Sequence, residues 1–526
     1  MNRYLALVCL LGMALPLATA EREYDVLIAN ARIVDGAGGP WYTGDIALLG
    51  DAIAAIGKLT GARAHRTIDA HGLVAAPGFI DLHTHANNIT EQPTAENYVR
   101  QGVTTLTVGN DGSSPLPVKP YLDQVAEARP AVNFGLFVGQ GTIRQRVLGL
   151  EDRAASPAEI ERMQELARQA MREGAFGLST GLFYVPGNYT PTEEVIAIAR
   201  VVGEMGGIHI SHMRDEAAGV LDSVEETIRI GEEGGLPTQI THHKIIGAVN
   251  WGRSKETLRL VEEARSRGVD VTIDQYPYTA SSTGTQALFP QWSLEGGREH
   301  FLKRLDDFAT RARMKASVVR NILENRGGGH PKNVVMAACS FDPSLAGKSL
   351  AQITDERGAE PTPENAAETA IDIQRAGGCS AIYHAIDEDD VVRIMRYPFT
   401  MIASDGGIPV FGSGAPHPRS YGTFARVLGR YVREMKVLTL EDAVRRMSAI
   451  PAARIGLSDR GILRPGLRAD LVLFDPETVA DTSTFAAPHQ YATGVRHVFV
   501  NGKPVLLDGK LTGERPGRVL YGPARE

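Results

Sequence analysis

A chain of 526 residues is too long for one simple core and calls for a large central domain with one or two smaller units. Its net charge of −7, with no basic run anywhere along it, excludes the electrostatic footprint of a nucleic-acid-binding protein. Three cysteines do not make a disulfide framework, and beyond the first twenty residues no apolar run is long enough to span a bilayer.

The chain opens with Arg3, an apolar stretch from Leu5 to Leu17 and the small residues Ala18, Thr19 and Ala20. That composition predicts a secretory signal peptide over residues 1–20, too short for a membrane span. Its cleavage removes Cys9 and leaves Cys339 and Cys379, which could pair in an oxidising compartment. An exported protein is expected, periplasmic or secreted, with no stable membrane span once the peptide is gone.

Residues 21–76 read as short strands separated by turn residues, with no helical period. Residues 458–526 read alike (ADLVLFDPETV, GVRHVFVNGKPVL), so the two ends are expected to build one small sheet domain. Between them strand and helix alternate. Strands are predicted over 79–85, 104–110, 133–139, 175–182, 208–213, 238–244, 269–276 and 399–404. Helices are predicted over 158–173, 192–205, 221–233 and 255–267, each with apolar residues at helical spacing and a Gly near its end. Eight strands alternating with helices predict a (β/α)8 barrel, in two parts over 77–284 and 376–457. An open doubly wound sheet is the alternative, but no Gly-rich phosphate turn follows the first strand. More than a hundred residues separate the seventh strand from the eighth, too many for a bare loop. An inserted unit over the barrel top is expected at 285–375, with a charged helix over 301–324.

Barrel enzymes place their chemistry at the C-terminal ends of the strands. The first strand ends in His83-Thr84-His85, whose two imidazoles share a face because strand side chains alternate. Two such imidazoles are half of a metal site. The second strand ends in Asn110-Asp111, the fifth in His212, the sixth in His242-His243-Lys244, the seventh in Asp274-Gln275-Tyr276, the eighth in Ser404-Asp405. With only fourteen histidines in the chain, this clustering at strand ends is not chance placement. By parity, His242 and Lys244 face the barrel mouth while His243 points outward; His209 is opposite to His212 and is expected to be structural. His384 and His417 receive no role.

HTH after PGFID, GVTTLTVGN, SHMR, THHK, YPYTASST and SDG followed by HPR together resemble the N-acyl-D-amino-acid deacylases (D-aminoacylases) of the amidohydrolase superfamily. The likeness covers nearly the whole chain after the signal segment. It implies a zinc-dependent (β/α)8 barrel with a small β-sandwich from both termini and an insert after strand seven. It implies one metal position at His83 and His85, another at His212 and His242, and one or two Zn2+ ions in all. Asp405 is implied as general base or acid, within reach of the first metal. Lys244, Tyr276 and Arg419 match positions that grip the substrate's α-carboxylate, with Ser282 assisting. One departure stands out: the family has Cys where this chain has Asp111. Asp is a harder ligand than a thiolate, and a carboxylate can bridge two metals, so Asp111 is expected to bridge; the alternative is that it only caps the following loop.

The implied reaction is hydrolysis of an N-acyl-D-amino acid, a small molecule with a free carboxylate, to a carboxylate and a free D-amino acid. A dipeptidase acting on C-terminal D-residues and a cyclic amidase are alternatives within enzymes. A non-catalytic binding barrel is an alternative of another class, for which a broken ligand set would be expected.

Overall fold

The computed structural model describes residues 23–526, so the signal-peptide expectation at 1–20 lies outside the described residues. The barrel strands are numbered β1 to β8. The first, β1 (Phe79–Asp81), pairs in parallel with β2 (Val103–Val108), which pairs in parallel with β3 (Asn133–Leu136). After Phe137, β3 resumes as Val138–Gly139 and pairs with β4 (Gly177–Gly181). Then follow β5 (Ile208–His212), β6 (Thr238–Ile240), β7 (Val271–Gln275) and β8 (Thr400–Ile402), each parallel to its neighbour. The circle closes beyond β8. The Ser404 amide donates to the Asp81 carboxylate at 3.0 Å, the Asp405 amide to the His83 carbonyl at 2.8 Å, and Gly406–Gly407 pairs in parallel with Thr84–His85. Closure removes every sheet edge and converges all eight C-terminal ends on one mouth.

The expected helices form at Pro157–Arg172, Thr192–Glu204, Val220–Gly234 and Ser254–Ser266. The first begins at a capping box in which Ser156 and Glu159 satisfy each other's backbone amides, with Pro157 in the first turn. Each helix buries one apolar face, such as Met163, Ala167 and Ala170.

Both ends of the chain meet in one nine-stranded sheet. Leu471–Phe474 runs antiparallel to Val74–Pro77 and so stitches the C-terminal strands to the N-terminal ones. Ile28, Ile33, Ile46, Leu471 and Phe499 are fully buried in a core shared by strands from both ends. The last residues leave this domain: the Phe134 amide donates to Arg518 and the Leu520 amide to Phe134, so the tail runs beside the start of β3.

The long connection after β7 carries its own core. The stretch expected as one helix over 301–324 is two, Gly297–Asp306 and Phe308–Glu324. Asp307 separates them because its side chain accepts from the Thr310 amide at 2.8 Å and caps the second. The insert also contains a three-stranded antiparallel sheet, with Ser380–Tyr383 between Ser281–Gly284 and Val334–Ala338. Its central strand needs a partner on each side, so the sheet draws in residues on both flanks of 285–375. Cys339 and Cys379 form a disulfide, buried in this unit with their Cα atoms 4.4 Å apart. Ser282, Arg326, Ala337 and Ser380 from the insert and its neck line the same cleft as His85 and Asp405, so the unit covers the barrel mouth.

Candidate metal centre

The strand expected over 79–85 breaks at a bend over Leu82 and His83 and resumes at Thr84–His85, and across that bend His83 and His85 converge on one point above the barrel. The His83 Nε2 lies 3.2 Å from Asp111 Oδ1, and the His85 Nε2 lies 3.3 Å from Asp111 Oδ2 and 3.0 Å from Asp405 Oδ1. From the other side, His242 Nε2 is 3.4 Å and His212 Nδ1 3.7 Å from Asp111 Oδ1. Among the described residues, two groups could therefore hold a metal ion: His83, His85, Asp111 and Asp405, and Asp111, His212 and His242. Asp111 belongs to both. Its carboxylate is turned into the imidazole cluster and does not cap the following loop.

The backbone is bent to reach this arrangement. Asp111, His242 and Asp405 all have positive φ (54°, 37° and 51°), a conformation costing of order 1–3 kcal/mol per non-glycine residue. Three such residues in one cluster mark a place where geometry is held against local preference. The surroundings over-determine it: Asp274 Oδ1 accepts from the His242 amide at 2.6 Å, and the Asp405 amide is held by His83. A glycine is required at 181, where a Cβ would fall 2.0 Å from the Asp111 carbonyl oxygen.

These residues fit a divalent cation. His83 Nε2 and Asp111 Oδ1, which face each other at 3.2 Å, are both buried without a hydrogen-bond partner, a costly state in a protein interior. Two imidazole nitrogens, His212 Nδ1 and His242 Nε2, face each other at 2.7 Å against the same carboxylate. A cation coordinated there satisfies them together. The donor set is nitrogen and oxygen only, because both described cysteines are in the disulfide, and it suits a borderline ion such as zinc. The field agrees. Burial pushes the Asp111 carboxyl up, but the His83 and His242 imidazoles overcome it and hold Asp111 well below the ordinary carboxylate range. Burial and the Lys244 ammonium oppose charge on His242, yet Asp111 and Glu216 push it up to about 9. Asp81 stands apart: buried at the barrel wall and raised to about 7 by that burial, it accepts from the Ser404 and His83 amides and buttresses the strand ends.

Above the cluster opens a cleft of about 810 Å³, lined by His85, Asp111, Lys244, Ser282, Asp405 and Arg419 among others. Lys244 and Arg419, expected to grip the substrate's α-carboxylate, are both already paired within the protein. Lys244 contacts the Glu216 carboxylate and donates to the His242 carbonyl at 2.8 Å. Arg419 lays its fork on Asp405, Nη1 to Oδ2 at 2.8 Å and Nη2 to Oδ1 at 3.0 Å, and reaches the Ser282 carbonyl at 3.4 Å. His417, given no role by the sequence, accepts from the Arg419 amide at 3.0 Å, at the start of the helix Arg419–Arg426. Tyr276 packs its ring between the two cations, 5.5 Å from Lys244 Nζ and 4.9 Å from the Arg419 guanidinium carbon. Its hydroxyl is buried with no hydrogen-bond partner. His209, between Thr180 and Thr238, and His243, on Thr257, are structural as parity required.

Sequence reasoning missed Glu216 and Arg326. Glu216 lies in the loop after β5, where no periodicity singles it out; its spacing of four from His212 was the available signal. Arg326 comes from the insert and reaches Glu216 at 3.2 Å.

Comparison with known proteins gives this geometry a family. A model of the Amidohydrolase family matches residues 66–316 and 346–506. D-aminoacylase of Alcaligenes xylosoxydans xylosoxydans is 40% identical over 524 residues, covering 95% of this chain and 98% of that protein. The crystal structure of N-acyl-D-glutamate deacylase from Bordetella bronchiseptica is 35% identical, with a TM-score of 0.80 over 95% of this chain and all of that one. It is complexed with zinc and a phosphonate inhibitor that mimics the tetrahedral intermediate. A D-aminoacylase structure, from work on the role of its binuclear metal centre, is 37% identical with a TM-score of 0.81, again over 95% of this chain and all of that one. The chain thus belongs to the amidohydrolase family, in its D-aminoacylase branch.

Proposed function

We propose that this protein is a zinc-dependent hydrolase that cleaves the amide bond of N-acyl-D-amino acids to a carboxylate and a free D-amino acid. The observation that carries this is the convergence of two ligand groups on Asp111 beside Asp405, at the floor of a cleft walled by cationic side chains. The D-configuration and the choice of zinc are taken from the relatives: D-aminoacylase at 40% identity, and the zinc complex of the D-glutamate deacylase.

Zinc bound here supplies Lewis acidity toward the amide carbonyl and lowers the pKa of water. His83, His85, Asp111 and Asp405 would hold one ion; Asp111, His212 and His242 would hold the second. Asp405 takes a proton from the attacking water on a carboxylate oxygen and hands it to the departing amide nitrogen. Arg419 keeps that carboxylate ionised and oriented. We read its remaining N–H groups, the unpartnered Tyr276 hydroxyl and Ser282 as the receivers of the substrate carboxylate. Lys244 and Arg326 share the single Glu216, which leaves surplus positive charge on the wall and favours an anionic substrate. A linear substrate with a free carboxylate fits this lining better than a hydantoin. The intact ligand set argues against a barrel that only binds.

The signal-like composition of residues 1–20 and the disulfide support export to an oxidising compartment. The test of activity is a panel of N-acetyl-D- and N-acetyl-L-amino acids, L-Xaa-D-Xaa dipeptides and hydantoins, assayed with metal-analysed protein. Release of free D-amino acids supports the reading; turnover confined to L-substrates or hydantoins rejects it.

A further inference from the structure

Glu216 is buried, with a side chain 1% exposed, and four nitrogen-bearing side chains surround it. Its Oε1 meets Lys244 Nζ and lies 3.3 Å from His242 Nδ1. Its Oε2 lies 3.2 Å from Arg326 Nη2 and 3.8 Å from His212 Nε2. The histidine nitrogens that face Glu216 are the ones that do not face Asp111. On His242, Nε2 looks at Asp111 and Nδ1 at Glu216; on His212, Nδ1 looks at Asp111 and Nε2 at Glu216.

We infer that Glu216 is a positioning residue of the metal centre, a single carboxylate that orients both His212 and His242 and ties them to the insert through Arg326. The inference rests on the metal-centre reading above. A neutral imidazole has one lone-pair nitrogen and one N–H. When His242 gives its Nε2 lone pair to a cation, its proton sits on Nδ1. Without a cation Lys244 Nζ, 2.7 Å away, donates to Nδ1; once the proton sits on Nδ1 the ammonium must turn off it, and Glu216 Oε1 at 3.3 Å is the acceptor in reach. The same argument puts the His212 proton on Nε2, which has no hydrogen-bond partner of its own and faces Glu216 Oε2 at 3.8 Å. A carboxylate behind a ligating histidine fixes ring orientation and tautomer, and raises its basicity. Here one carboxylate serves two rings, and its own charge is balanced by Lys244 from the barrel and Arg326 from the insert. Arg326 is held in turn by stacking over Phe183, 4.2 Å from the ring centre. The insert is therefore mechanically coupled to the histidine pair through one residue that touches neither substrate nor metal.

The test measures zinc itself. Apoprotein is titrated with zinc against a chromophoric chelator, and the cobalt-substituted protein is examined by visible absorption. Glu216→Gln should raise the zinc dissociation constant by about 10- to 100-fold and change the cobalt spectrum, while the circular dichroism spectrum keeps its wild-type form. Arg326→Met should move both readouts in the same direction by less, because it frees only Oε2. Wild-type affinity and an unchanged cobalt spectrum in Glu216→Gln overturn the inference. If Glu216→Gln does not fold, Glu216→Asp and Arg326→Met decide it: weakened zinc binding in both supports it, and wild-type binding in both overturns it. A wild-type protein that takes up no zinc overturns the proposed function first, and this inference with it.

Discussion

Replacing Asp111 by Asn removes one charge and almost no volume. The carboxylate it alters lies within 3.2–3.7 Å of the metal-facing nitrogens of His83, His85, His212 and His242. It is the one residue common to both ligand groups. A unit charge about 4 Å from another is worth about 4 kcal/mol at an effective dielectric near 20, or roughly a thousandfold in affinity. Because Asp111 is shared, the loss should fall on both ions, unlike loss of His85 or His212, which belong to one group each. The assay is elemental analysis of the purified protein followed by chelator competition. Wild type should hold two zinc equivalents, and Asp111→Asn should lose the weaker ion on dialysis and bind the other with about a thousandfold lower affinity. Asp111→Cys, which places an anionic thiolate at the same point, should recover binding. One zinc per chain in wild type, with unchanged stoichiometry and affinity in Asp111→Asn, would refute the bridging role.

Arg419→Met takes the fork off Asp405 and a donor from the cleft; a charge-assisted contact of this kind carries about 1.5–3 kcal/mol, so kcat/KM for N-acyl-D-amino acids should fall about 10- to 100-fold, and an unchanged value rejects the assignment. Gly181→Ala drives a methyl onto the Asp111 carbonyl, 2.0 Å away, so the variant should bind less zinc than wild type; full zinc content would show that the Asp111 backbone is free to move. The disulfide closes a separation of 40 residues, for which chain entropy gives about 4 kcal/mol; Cys339→Ser should lower the unfolding midpoint of the insert, followed by limited proteolysis, and equal protection with and without reductant would contradict it.

The barrel was legible because its signals are local. Each strand is a short apolar run, each helix a run at helical spacing, and the candidate ligands sit at or just beyond where strands stop. His83, His85, His212, His242 and Asp405 could be read off strand ends, and parity alone separated His242 from His243. What escaped the sequence depends on distant segments. Glu216 meets Lys244 across 28 residues and Arg326 across 110, and neither separation leaves a periodic trace. The pairing of Lys244 with Glu216 and of Arg419 with Asp405 escaped for the same reason: the partners come from other loops. The insert's sheet was hidden because its strands lie at the two ends and in the middle of a long connection, with four helices between the first and last. The positive φ values at Asp111, His242 and Asp405 oppose the preference of those residue types, so propensity could not announce them.

The central claim is a zinc pair straddling Asp111, and anomalous diffraction from crystals of the purified protein at the zinc absorption edge tests it most directly. Two peaks are expected, one among His83, His85, Asp111 and Asp405 and the other among Asp111, His212 and His242. A map with no peak in this cluster, or with zinc bound only elsewhere on the molecule, would contradict it.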